Sequence, residues 1–208
     1  MKVLLLNSSA HTNGCTYTAL KTVADSLEKQ GIETEIFQTG AQAIGDCVAC
    51  LQCRKHPGRC AFDTDCVNRF IEKAQEADGF VFGTPIYYAH PSGRILCLLD
   101  RAFYANTQAF SHKPAAAVAC ARRAGTTAGL DVLNKYFTIA QMPVVSSTYW
   151  NMVHGNKPED VLCDQEGLQT MENLANNMVW LLRAIHLAEK NGILKPENTK
   201  SVRTNFIR

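Results

Sequence analysis

Gly79-Phe80-Val81-Phe82-Gly83 is apolar along its length and closed by a glycine at each end. A strand wetted on one face alternates polar and apolar residues. One that does not alternate is covered on both faces, the habit of parallel sheets. Working outward, four more short segments read as strands: 3–6 (Val3-Leu4-Leu5-Leu6), 33–37, 115–121 and 143–148. Amphipathic stretches separate them. Residues 16–30 put Leu20, Val23, Ala24 and Leu27 on one side and stop at Gly31, and residues 67–77 do the same with Val67, Phe70, Ile71 and Ala74. Pro91 opens a third helix carrying Ile95, Leu98, Leu99, Ala102 and Phe103, a fourth spans about 127–140, and a fifth spans 168–188. Strand–helix alternation with right-handed crossovers predicts an α/β fold, a parallel five-stranded sheet with helices on both faces.

The chain has 208 residues, 46% of them hydrophobic, which suits one domain over residues 1–190 and a polar tail over 191–208. With 21 basic and 19 acidic residues, scattered except at Arg122-Arg123 and the tail, there is no basic stripe for a nucleic acid. The apolar run 3–6 is too short for a secretory signal or a membrane span, so a cytoplasmic setting is expected. Nine cysteines are then reduced thiols rather than a disulfide framework. Two segments break the alternation, 40–65 and 149–165. Both follow strands and so belong at the carboxyl end of the sheet, where open α/β folds bind ligands.

The first strand runs into Asn7-Ser8-Ser9-Ala10-His11-Thr12-Asn13-Gly14-Cys15-Thr16, then a helix. Hydroxyls, an Asn and free N–H groups at a helix start suit an anion. With one glycine and no Gly-Lys pair, a monophosphate fits better than a triphosphate. An ordinary helix cap is the competing reading.

Taken with Gly83-Thr84-Pro85-Ile86-Tyr87-Tyr88, Cys120-Ala121-Arg122-Arg123-Ala124-Gly125-Thr126 and the closing helix from Asp164, this loop resembles the NAD(P)H-dependent FMN reductases of the flavodoxin-like superfamily. The resemblance covers nearly the whole chain. It implies a flavodoxin-like three-layer fold with strand order 2-1-3-4-5, FMN as cofactor, NAD(P)H as donor, and a homodimer or homotetramer with no membrane partner. It also implies three flavin loops: Ser9, His11, Asn13, Cys15 and Thr16; Pro85, Ile86, Tyr87 and Tyr88; Arg122, Arg123 and Gly125. The family often has a basic residue in the phosphate loop, where this chain has His11-Thr12. No acid–base pair stands out, as expected where the cofactor carries the chemistry.

Cys47-Val48-Ala49-Cys50-Leu51-Gln52-Cys53, followed by Cys60, sets four thiols within a short span. Four thiolates can hold a cube of iron and sulfide or close a zinc tetrahedron. Reduced thiols without metal and a redox dithiol are the other readings. The run resembles that of the iron–sulfur flavoproteins, which implies a [4Fe–4S] cluster on Cys47, Cys50, Cys53 and Cys60 near FMN. Cys66, Cys97, Cys120 and Cys163 read as incidental, and His90 and His154 as loop histidines. Three functions follow: an oxidoreductase passing electrons from NAD(P)H to a small molecule or a ferredoxin-type acceptor; an electron carrier between proteins; or a metal-stabilised interaction module with a degenerate flavin crevice.

Overall fold

The computed structural model describes residues 1–206. In chain order the elements are β1 (Lys2–Asn7), α1 (Cys15–Glu28), β2 (Glu33–Gln38), α2 (Gln52–Lys55), α3 (Val67–Glu76), β3 (Gly79–Tyr87), β4 (His90–Pro91), α4 (Gly93–Ala105), β5 (Ala115–Ala121), α5 (Thr126–Ile139), β6 (Met152–His154), α6 (Pro158–Cys163) and α7 (Gln165–Lys190). The strands lie in the order β2-β1-β3-β5-β6, all parallel, with the two-residue β4 antiparallel to β3. Apart from β4, which the sequence did not announce, this is the 2-1-3-4-5 order.

The pleat sorts the buried strands between two cores. Leu4, Leu6, Phe80 and Phe82 face α3, α4 and α5, while Val3, Leu5 and Val81 face α1 and α7. β5 is mostly alanine, and its narrow face leaves room for rings. Phe80, Phe82, Phe103, Phe110 and Phe137 fill the first core, with Phe103 and Phe110 stacked at 4.2 Å between centroids. Trp150 and Trp180 take no part in either core and are 58% and 73% exposed.

The expected strand at 143–148 is corrected. Pro143 and Val145 exchange backbone hydrogen bonds with Ala115, and then the chain leaves the sheet. Residues 146–148 are polar, and α7 holds them. Ser147 donates to the Thr170 carbonyl, Asn177 to the Ser146 carbonyl and Asn173 to the Thr148 hydroxyl. Pairing with β5 resumes only at Asn151, whose carbonyl accepts from Ala119, and continues as β6. The third helix also starts later than Pro91. Pro91 pairs in β4, and Ser92 caps α4 by accepting from the Ile95 N–H. Residues 193–206 form no helix or strand, and among the described residues no helix is long and apolar enough to cross a membrane.

Candidate functional site

Three strand ends and one later loop enclose an open cleft of about 560 Å³, within the usual range for a small-molecule site. It lies where β1 and β3 part, their following helices taking opposite faces of the sheet. Residues 9, 11 and 13–16 line one side, 85–87 and 120–122 the others, and 155–158 close it.

The loop after β1 is held from beneath. Asn7 donates to the Thr12 carbonyl at 3.3 Å and accepts the Ser9 N–H at 3.1 Å. Ser9 Oγ accepts the His11 N–H at 3.1 Å, and Gln38 donates to the Ser9 carbonyl at 2.7 Å. Ser8 donates to the Gly83 carbonyl at 2.8 Å, and the Ser92 N–H donates to Thr84 Oγ1 at 3.1 Å, so the first and second loops are tied together.

The start of α1 differs from the starts of α4 and α7. Ser92 and Asp164 cap those two helices with side-chain oxygens. α1 starts after Gly14 with no side-chain cap and no acidic residue in its first turn. Its first N–H groups therefore face the cleft without a protein acceptor on the side chains, a ready place for an anion. Thr16 is buried, and among the described residues its hydroxyl has no partner.

Ser9, His11, Asn13, Cys15, Thr16, Pro85, Ile86, Tyr87 and Arg122 all line the cleft. Tyr88, Arg123 and Gly125 do not. Tyr88 and Ala89 are the central pair of a tight turn, at φ +50° and +58°, which throws the Tyr88 ring fully into solvent. Arg123 is exposed beyond the end of β5. Gly125, at φ +95°, packs beneath the same turn, and a β-carbon there would sit 2.5 Å from Ala89 Cα. Burial pushes both the Cys15 and Cys120 thiols up, which disfavours their thiolate forms.

The segment 155–158 lies inside 149–165, which the sequence places at the ligand-binding end of the sheet, although no residue of 155–158 was singled out there. The Cys15 thiol donates to the Gly155 carbonyl at 3.6 Å, and Asp160 accepts the Asn156 and Lys157 N–H groups at 3.0 and 3.2 Å. Lys157, just before α6, thereby reaches the cleft, far along the chain from the loop it faces, with no ion-pair partner among the described residues.

Cys47, Cys50, Cys53 and Cys60 border a second, small cavity with Phe62, Arg101 and Tyr104. Ala49 and Leu51, on either side of Cys50, are left-handed at φ +51° and +57°. Among the described residues no three His, Cys, Asp or Glu side chains are gathered closely enough to hold a metal ion. The loop is nonetheless anchored at its far end. Asn68, 3% exposed, donates to the Cys60 and Phe62 carbonyls and accepts the Cys60 N–H. Arg101 of α4, 2% exposed, donates through Nε to Cys60 Sγ at 3.3 Å, through Nη1 to Asp65 and the Gly45 carbonyl, and through Nη2 to the Phe62 carbonyl at 2.8 Å. Burial works against its charge, but Asp65 and Cys60 outweigh burial and hold the guanidinium above its ordinary pKa.

Known proteins share sequence or fold with this chain. An iron–sulfur flavoprotein of Methanocaldococcus jannaschii is 27% identical over 196 residues, covering 89% of this chain and 99% of its own. RosB, solved with bound 8-demethyl-8-formylriboflavin-5'-phosphate, shares the fold at a TM-score of 0.68 and 16% identity, over 100% of this chain and 92% of its own. An archaeal flavodoxin does so at 0.59 and 12%, over 88% and 99%. Residues 1–157 match the NADPH-dependent FMN reductase family as a whole, and the chain, a flavin oxidoreductase on a flavodoxin-like fold, belongs to that family.

Proposed function

We propose that the chain takes electrons from NAD(P)H through FMN seated in the cleft and hands them to a small-molecule or ferredoxin-type acceptor in the cytoplasm. The observation that carries this is the uncapped start of α1 opening into a cleft of about 560 Å³ at the β1/β3 switch point. Bound there, FMN supplies hydride acceptance from a nicotinamide and onward electron release. The chain's part is to hold and shield it. The N–H groups of the first turn of α1 and the hydroxyls of Ser9 and Thr16 take the phosphate, and Lys157 adds the cation that the loop lacks. Tyr87 walls the ring, and Arg122 stands at the mouth. We place the subunit contact on the exposed 149–150 segment.

Thr16→Val keeps shape and removes the hydroxyl. It is expected to weaken FMN by about 1–3 kcal/mol, read by flavin fluorescence titration; an unchanged dissociation constant removes Thr16 from the site. Lys157→Gln is expected to weaken FMN by about three- to tenfold at low salt and less at high salt, leaving riboflavin unaffected. Equal loss for FMN and riboflavin would assign Lys157 another role.

The same reading gives the cysteine loop a [4Fe–4S] cluster. The donor set fits in kind, since four cysteines line one cavity. The present gap of about 20 Å³ admits little more than a water molecule, so the cavity would have to widen to seat a cluster. The iron–sulfur flavoprotein relative also supports this reading. Anaerobically purified protein should show flavin and iron–sulfur absorption together and oxidise NAD(P)H continuously. Cys50→Ser should lose iron and keep FMN. FMN without NAD(P)H oxidation would favour an electron carrier between proteins instead.

A further inference from the structure

We infer that Arg101 raises the reduction potential of the group held by the cysteine loop, by fixing a cationic hydrogen-bond donor on the sulfur of Cys60. The inference rests on the iron–sulfur reading of that loop. Four acceptors immobilise the guanidinium: Cys60 Sγ, Asp65 and the carbonyls of Gly45 and Phe62. Among the described residues, the sulfurs of Cys47, Cys50 and Cys53 receive no such bond. Cys60 is therefore set apart from the other three.

The electrostatics give the sign. Adding one electron increases the negative charge shared by the thiolates. Hydrogen bonds to sulfur and local net charge are established levers on such potentials. A cation 3.3 Å from one sulfur stabilises the reduced form more than the oxidised form. The opposing group is Asp65, ion-paired to the same guanidinium and only 6% exposed. It offsets part of the charge but lies on the far side of the guanidinium from the Nε–Sγ bond, so the donor end faces the sulfur. Arg101 does not line the cleft between the first and second loops. It acts through Cys60 and is a positioning residue.

Two substitutions push in opposite directions. Arg101→Gln removes the cation and keeps a donor, and Asp65→Asn removes the offsetting anion and keeps an acceptor for Arg101. The measurement is a redox titration of the anaerobic, FMN-loaded protein, following the cluster by electron paramagnetic resonance, with iron and sulfide assayed alongside. Arg101→Gln is expected to make reduction about tenfold less favourable, a shift of about 59 mV downward for one electron. Asp65→Asn is expected to shift the midpoint upward. A part in folding alone does not produce shifts of opposite sign. The inference is overturned if any variant that retains iron keeps the wild-type midpoint or moves the wrong way. It is also overturned if both variants lose iron, because Arg101 then builds the site instead of tuning it. Wild-type protein that takes up no iron on anaerobic reconstitution overturns the iron–sulfur reading itself, and this inference with it.

Discussion

Gly125→Ala is expected to destabilise the protein by about 2–4 kcal/mol, lowering the melting temperature by about 5–15 °C, and to impair FMN binding at the same time. The backbone there is at φ +95°, where an L side chain is strained, and the added β-carbon would lie 2.5 Å from Ala89 Cα and 2.8 Å from Ala89 Cβ. Neither neighbour is the free end of a flexible side chain. The turn carrying Tyr88 and Ala89 must move, and Tyr87 and Ile86 at the cleft move with it. Gly93→Ala is the control. Its β-carbon meets nothing within 4 Å at the start of α4, so stability should be unchanged or slightly raised. Thermal unfolding of both variants with and without FMN checks this. Equal melting temperatures would mean that the turn yields at no cost.

Arg101→Met should cost about 3–5 kcal/mol, because it leaves a carboxylate buried without its counter-charge. Arg101 and Asp65 are 2% and 6% exposed at their side chains, so little solvent screens the pair. The loss should fall first on residues 45–65, whose carbonyls at Gly45 and Phe62 lose their donor. Adding Asp65→Asn should recover part of the loss by removing the stranded charge. Denaturant unfolding reads the total, and limited proteolysis near Cys60 reads where it falls. A loss below about 0.5 kcal/mol would place the pair among ordinary surface bridges.

How far the sequence revealed all this varied by element. β1, β3 and β5 were plain because both faces are covered, and covered strands announce themselves as unbroken apolar runs. The fifth strand was misplaced for a physical reason. Val144-Val145 and the β-branched Thr148 suit a strand, but hydrogen bonds from α7, remote in sequence, pull 146–148 off the sheet. The three loops were visible because each follows a strand end. Lys157 was not, since nothing local marks a lysine that shares a cleft with residues 9–16, far from it in the chain. Arg101, in the third helix, carries no local mark of its role. Its partners lie 36 to 56 positions away and belong to the cysteine segment.

The two exposed tryptophans decide which optical signals can be trusted. Since neither ring is buried within the chain, unfolding of a single chain will change the intrinsic emission maximum only slightly, and fluorescence reports the stability measurements above poorly. Far-ultraviolet circular dichroism is the appropriate probe for those. The same emission becomes useful for another purpose. Trp150 stands on the segment assigned to the subunit contact, with Tyr149 4.8 Å away, so a blue shift that grows with protein concentration reports burial between chains.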